Sequence, residues 1–361
     1  MTTETIPTAT ADALMERVFG ASIAAMDLAT IHIGRELGLY QTLRDAGALS
    51  SATLAAMTGT DERYVREWLE HQAVSEILEA EEGAVDPERR RFSLPAGHAE
   101  ALLDHTSPSS VGPLAQFVVG EIVPIEQLIA AFRSGEGVPY DAYPICREGQ
   151  AEVNRPLFVH ELASWIEALG EQHEAFSARG GRVADVACGS GWSSIELARA
   201  YPRVHVDGYD LDAPSIAMAN DNLAGSGLAD RVRFLAADAA DAAPGVRYDL
   251  VTIFEAVHDL ARPVEVLESA RRMLAPGGVV LVADEKVAHE FEAPGDDVER
   301  LMYGYSVLFC LPTSREEQPS AATGTAMRPH TMEGYAEAAG FSRTDVLDID
   351  NDIWRFYRLV P

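Results

Sequence analysis

A run of small residues, Ala187-Cys188-Gly189-Ser190-Gly191, follows an apolar stretch at 183–186 and precedes residues 192–200, where apolar side chains recur at helical spacing. Strand, glycine turn and helix in that order make the opening half of a nucleotide-binding α/β unit. Gly189 and Gly191 let a ligand approach the backbone, because no Cβ intervenes. The free N–H groups of a helix start favour anionic or polar groups. Asp185 is read as sitting inside the turn. The other residues able to do chemistry fall at predicted strand ends: Asp210, Asp238, Glu255, His258 and Asp284. In an open parallel sheet that edge is where ligands bind.

These residue types select among nucleotides. A dinucleotide fingerprint needs a third glycine three residues after Gly191, and Ser194 stands there. A pyrophosphate also gives no reason for Asp185. S-adenosylmethionine does, since its sulfonium and α-ammonium are favourable partners for carboxylates and carbonyls. Asp210, about 20 residues past the turn, is placed to grip both ribose hydroxyls. Asp238 is placed to accept from the adenine amino group. Glu255 either lines the methionine end of the cofactor or caps the following helix.

The elements that must hold these groups follow from periodicity. Residues 11–29, 31–43 (interrupted near Gly38), 50–57 and 63–77 read as helices, and 78–94 contains two short β-like pieces around Glu82-Gly83 and Asp86-Pro87. Residues 1–10 read as a flexible arm. Three short helices and a hairpin make a winged helix. A Ser/Pro/Gly linker at 107–113 leads to a helix at 114–132 that Pro124 kinks or divides, then to a strong helix pattern at 153–176. From Arg182 strands and helices alternate: strands at 204–210, 232–238, 248–254 and 279–283, a Pro-Gly-Gly turn at 275–278, and two late strands at 341–347 and 354–359. Such alternation implies an α/β, Rossmann-like, doubly wound, mostly parallel sheet with a late antiparallel strand pair, preceded by an α-rich winged-helix domain. The expected organisation is a helical domain at 1–110, linking helices lining the substrate site at 111–180, and a cofactor domain at 181–361 with an insertion at 285–330.

Val-Ala-Asp185-Val-Ala-Cys-Gly189-Ser-Gly191, Asp210, Ala-Asp238-Ala, Tyr-Asp249-Leu-Val and Leu-Ala-Pro276-Gly-Gly278, in that order and spacing, resemble the class I S-adenosylmethionine-dependent methyltransferases over 182–284. The sequence departs from that pattern at Ala187, where the family usually has glycine. The whole arrangement is similar to plant-type small-molecule O-methyltransferases and their bacterial relatives, which place a winged-helix dimerisation domain first. The resemblance implies S-adenosylmethionine as cofactor, with Asp185, Ala187, Gly189, Gly191, Asp210, Leu211, Asp238, Ala239 and Glu255 around it. It also implies a homodimer and a small-molecule acceptor, a hydroxyl first and N- or C-methylation next. His258-Asp259 resembles the His-Asp pair whose histidine deprotonates a phenol; histidine also suits a base near neutrality. The alternative for His258 is a loop hydrogen bond. The insertion carries Met302, Tyr303 and Met327, which with Tyr140 and Phe158 are the candidate acceptor contacts; ordinary core packing is their bland alternative.

Composition narrows the rest. The formal net charge is −29, which repels nucleic acid and anionic lipid. Residues 61–70 carry Asp61, Glu62, Glu67 and Glu70 against Arg63 and Arg66, the wrong balance for a groove-reading helix. A winged-helix regulator using the second domain as a cofactor sensor is the rival class. Lys286 is the single lysine, so no Gly-Lys-Ser/Thr phosphate loop is possible. Three cysteines lie far apart without metal spacing, so no metal is expected and a reducing cytoplasm is. No apolar run of about 20 residues and no basic-then-apolar start is seen, so neither a membrane span nor a secretory signal is expected.

Overall fold

The structure, a computed structural model, describes residues 10–81, 86–238 and 245–361. The expected arm, apart from Thr10, and the β-piece at Glu82-Gly83 lie outside them. The chain divides into two compact units. One comprises residues up to Gly120 with Glu148–Val153; the second comprises Glu121–Arg147 and Asn154–Pro361.

The first unit opens with α1, Ala11–Glu36, capped by Thr10, whose Oγ1 accepts from the Ala13 N–H at 3.1 Å. Two helices were expected here, but the chain runs through Thr30, whose hydroxyl bonds back to the Met26 carbonyl inside the helix and so leaves the backbone ladder unbroken. The break comes at Gly38, whose φ of 65° starts α2, Leu39–Ala46. Ser50 and Asp61 cap α3, Ser51–Thr58, and α4, Glu62–Val74. Short antiparallel strands at Leu49–Ser50, Glu79–Ala80 and Arg91–Ser93 complete a winged helix. Its core gathers Tyr40, Leu43, Leu54, Val65, Trp68, Leu69 and Phe92. Gly34 lies beneath Trp68, where a Cβ would come within 2.3 Å of the ring.

In the second unit β1 (Gly181–Val186), β2 (Val204–Asp210), β3 (Val232–Ala236), β4 (Tyr248–Phe254), β5 (Leu274–Glu285), β6 (Arg343–Val346) and β7 (Trp354–Val360) form one sheet. Its order is β3-β2-β1-β4-β5-β7-β6, parallel except for β7, which runs antiparallel to β5 and β6. The crossovers include α5 (Trp192–Ala200), α6 (Ala213–Ala224) and α7 (Pro263–Met273). Both faces are apolar and alternate along each strand: Val251 and Ile253 pack with Val280 and Val282 on one side, Leu250 and Phe254 with Leu281, Trp165 and Trp354 on the other. Truncating a fully buried Trp such as Trp165 would cost about 3–5 kcal/mol.

Of the two alternatives at Pro124 the structure takes division, and one expectation about a helix and one about a turn are corrected. Pro124 divides the 114–132 pattern into Gly112–Ile122 and Ile125–Ser134. The 153–176 pattern becomes Arg155–His160, Leu162–Glu167 and Glu171–Arg179, the last starting from Gly170 at φ 59°. The Pro276-Gly-Gly segment joins β5 through an irregular register between Tyr248 and Leu250. After β5 come α8, Asp297–Tyr305, a π-turn at Ser306–Cys310, and α9, Pro329–Ala338. No single helix among the described residues is long and apolar enough to cross a membrane.

Candidate active site

The carboxyl ends of β1, β2, β4 and β5 converge on one edge of the sheet, and the sequence-predicted residues fall there. Asp185 is not in the turn: it is the penultimate residue of β1, 2% exposed. Its carboxylate accepts from the hydroxyls of Ser193 and Ser194 at 2.6 Å each and Thr252 at 2.8 Å. Burial raises its proton affinity and the three hydroxyls oppose that. Ser194, which fails the dinucleotide pattern, is therefore a clamp between α5 and β1. The turn itself needs left-handed backbone at Ala187 (φ 57°), Gly189 (φ 51°) and Gly191 (φ 79°). A Cβ on Gly189 would meet nothing within 4 Å, so this glycine faces open space. A Cβ on Gly191 would lie 2.3 Å from the Phe234 ring, so Gly191 answers to packing. No side chain caps α5.

Asp210 closes β2. It accepts from the N–H groups of Gly189 and Asp212, both at 2.8 Å, which ties the second strand end to the turn. Burial raises its pKa against those two bonds. Leu211, next to it, is 68% exposed. Arg147 bridges to Asp212 at 2.9 Å and stacks over Tyr140, 4.9 Å from the ring centre. Asp238, just beyond β3, pairs with Arg262 at 2.8 Å. Ala239 lies outside the described residues.

β4 delivers the densest chemistry. Glu255 has a φ of 52°, rare for a residue with a side chain and a mark of a constrained site. Its carboxyl accepts from Asn154 Nδ2 and shares a hydrogen bond with Glu285. Burial lifts Glu255 to about 7. His258 is 1% exposed. Its Nδ1 lies 2.7 Å from Asp284 Oδ1 and its Nε2 3.3 Å from Asp259 Oδ1. Burial alone would lower its pKa, but Asp259 and Asp284 outweigh it and hold His258 well above the usual range. Cys310 reaches the same histidine from the insertion. Sequence reasoning missed Asn154, Glu285, Cys310 and the buried Glu121; Asp284 was noticed only as a strand-end acid.

Family models match this chain in two places: a methyltransferase domain over residues 177–321 and an Rv2258c-like winged HTH domain over 24–103. The ubiquinone/menaquinone biosynthesis C-methyltransferase of Stutzerimonas stutzeri is 28% identical over 204 residues, 54% of this chain and 75% of that protein. The chain carries an S-adenosylmethionine-dependent methyltransferase domain. Two solved structures share its fold over nearly the full length. The mitomycin 7-O-methyltransferase has a TM-score of 0.70 at 21% identity, over 97% of this chain and 98% of that one. Human N-acetylserotonin methyltransferase, solved with its cofactor, has a TM-score of 0.71 at 16% identity, over 99% of both.

The cofactor of this methyltransferase is S-adenosylmethionine, and the residues fit it. The space beside Gly189 admits a ligand against bare backbone, α5 presents uncapped N–H groups, and Asp210 is an acid of the right kind for a diol. The expected acceptor contacts do not form one patch. Met302 (2% exposed) and Met327 (3%) are core residues, the latter packed with Ala256 and Val257. Tyr303 accepts from Arg328 through its hydroxyl at 2.9 Å and meets the Phe291 ring. Phe158 joins Trp165, Phe254 and Trp354 under the sheet. Tyr140 alone stands near Asp210, and with Tyr143 it flanks Phe309 at 5.6 and 5.0 Å.

Proposed function

We propose that this methyltransferase methylates a hydroxyl of a small molecule, with His258 taking the acceptor proton. The observation that carries the reading is the His258–Asp284 pair at the end of β4. Asp284 at 2.7 Å keeps Nδ1 as a donor, and Nε2, once it has released the proton that Asp259 and Asp284 favour, is the nitrogen that accepts from the hydroxyl. Asp259 stands 3.3 Å from Nε2 with its side chain 26% exposed, and turning it outward opens that nitrogen to an acceptor. Bound at the turn, the cofactor supplies an electrophilic methyl group on sulfur. The protein's share is alignment and proton removal. Asp210 would hold the ribose, Gly189 beside Ala187 would admit the methionine part while Gly191 shapes the turn by packing under Phe234, Leu211 and Asp238 would flank the adenine, and Glu255 would face the methionine end. Asp185 acts through the turn, by holding α5 on β1. Tyr140, Tyr143 and Phe309 supply an aromatic wall for a flat acceptor. The names of the solved relatives, which include a 7-O-methyltransferase, support the hydroxyl.

A nitrogen acceptor is the second reading. Among the described residues Glu121 Oε1 and Glu285 Oε2 are buried without a hydrogen-bond partner, and such oxygens can accept from the N–H of the neutral amine that methyl transfer requires. Mass analysis of products from phenol, amine and carboxylate panels separates the readings. His258→Ala is expected to keep cofactor affinity and lower turnover on a phenol by on the order of a hundredfold or more. Unchanged turnover would remove His258 as the base.

A further inference from the structure

Glu255 follows β4, Glu285 ends β5, and the two carboxyls share a hydrogen bond. A carboxylate only accepts, so two of them cannot bond to each other; the contact requires a proton on one. Glu285 is buried, and burial together with the charge of Glu255 pushes it well above the usual carboxyl range, which makes it the donor. Glu255 is partly exposed and also accepts from Asn154 Nδ2. The register places this pair. β1 and β4 pair Val186 with Ile253, so Glu255, two residues on, comes level with Cys188 in the glycine turn. Asn154 precedes Arg155, whose guanidinium lies 3.7 Å from the ring centre of Trp192, the first residue of α5. The other groups facing the pair are His258 and Asp259 from the segment after β4, Asp284 from β5 and Tyr305 from α8.

We propose that Glu255 and Glu285 form a proton-sharing carboxyl pair that distinguishes the methylated from the demethylated cofactor by the charge on its sulfur: Glu255 gives up a proton to solvent when a sulfonium lies beside it and takes one back once the methyl group has left. The proposal rests on the placement of the cofactor's methionine end at Glu255. S-adenosylmethionine and S-adenosylhomocysteine share the α-ammonium and α-carboxylate and differ at the sulfur, a permanent cation in one and a neutral thioether in the other. An opposite charge close by favours the ionised carboxyl, and a neutral thioether does not. The balance is closed. The methyl carbon bonds to the acceptor oxygen, the S–C bonding pair stays on sulfur, His258 takes the acceptor proton, and Glu255 recovers its own from solvent. The sign with pH follows. Burial holds Glu255 at about 7. Below that, binding of the sulfonium has to expel a proton; above it, the carboxylate is already present. Affinity for S-adenosylmethionine therefore rises as pH passes upward through 7, and this contribution is missing for S-adenosylhomocysteine. Glu285 keeps the shared proton over that window and anchors Glu255 in place.

The test is titration calorimetry of the full-length chain with S-adenosylmethionine and, separately, S-adenosylhomocysteine, at about pH 6 in two buffers of different ionisation enthalpy, which counts the protons released. The expected result is an excess release of roughly half a proton or more for S-adenosylmethionine, and a ratio of the two affinities that moves about tenfold in its favour between about pH 6 and about pH 8.5. In Glu255→Gln the excess disappears and the ratio becomes flat. In His258→Ala both persist, which separates the carboxyl pair from the imidazolium beside it. The wild-type and His258→Ala titrations carry the decision should Glu255→Gln not fold. Equal proton counts for the two ligands in the wild type overturn the proposal, as does an excess that survives Glu255→Gln or vanishes in His258→Ala. Calorimetry of Asp210→Ala tests the cofactor's placement separately, so a misplaced cofactor and an inert carboxyl pair are told apart.

Discussion

Asp185 and Asp210 are both strand-end acids of one turn, and their partners divide their work. Asp185 spends its carboxylate on three hydroxyls of the protein. Asp210 takes only backbone N–H groups, those of Gly189, Leu211 and Asp212, and so ties its strand end to the turn. Asp210→Ala is therefore expected to weaken S-adenosylmethionine binding about 10- to 100-fold by calorimetry; unchanged affinity would put the ribose elsewhere. Glu121 gives a separate, pH-linked prediction. Burial raises its pKa from 4.5 to about 8. Its protonated form favours the fold fully below about pH 4.5, and that contribution is lost as pH rises through 8. Glu121→Gln stays neutral, so urea melts should show the variant gaining on wild type between pH 5 and 9, by on the order of 2–4 kcal/mol. Curves that stay parallel would contradict the burial. Residue type and order made Asp210, Gly189 and His258 legible in the sequence. Glu121, Asn154 and Cys310 were not, because what places them is three-dimensional proximity to Tyr305, Glu255 and His258.

At the scale of elements, the β1–turn–α5 unit is held by two contacts that a pattern alone distinguishes poorly. Ser194 clamps Asp185, and Gly191 fits under Phe234. Gly191→Ala puts a methyl 2.3 Å from that ring at a φ of 79°, so it should destabilise by roughly 1–3 kcal/mol. A thermal midpoint equal to wild type would show that the turn has slack. Alternating strands and helices from Arg182 onward could be read because each buried strand is a short apolar run bounded by turn residues. The helices of the 153–176 pattern could not. Their apolar spacing continues across Glu161 and Gly170, whereas the backbone breaks at both. The same blindness covers the insertion, where the sequence could not show that Met302 and Met327 are buried.

The whole molecule joins a winged helix to a methyltransferase domain, and its surface says which use of the winged helix to favour. The arginines of α4 are answered by its own acids, Arg63 by Glu67 and Arg66 by Glu62, leaving little positive charge for a phosphate backbone. On α1, Met15, Val18, Phe19, Ile23 and Met26 are more than half exposed along one face. A second copy of the chain is the proposed cover. Sedimentation equilibrium should give a dimer for the wild-type chain and a shift toward monomer for Val18→Glu/Phe19→Glu; a wild-type monomer at micromolar concentration would exclude that use of α1. The central claim concerns the bond made at the end of β4. The direct measurement is transfer of an isotopically labelled methyl group from S-adenosylmethionine to a phenol panel, read by mass for wild type and His258→Ala at equal cofactor occupancy. The account predicts labelled methyl ethers from the wild-type enzyme and a loss of about a hundredfold or more in the variant. Label appearing only on nitrogen or carbon, or ethers formed equally well without His258, would contradict it.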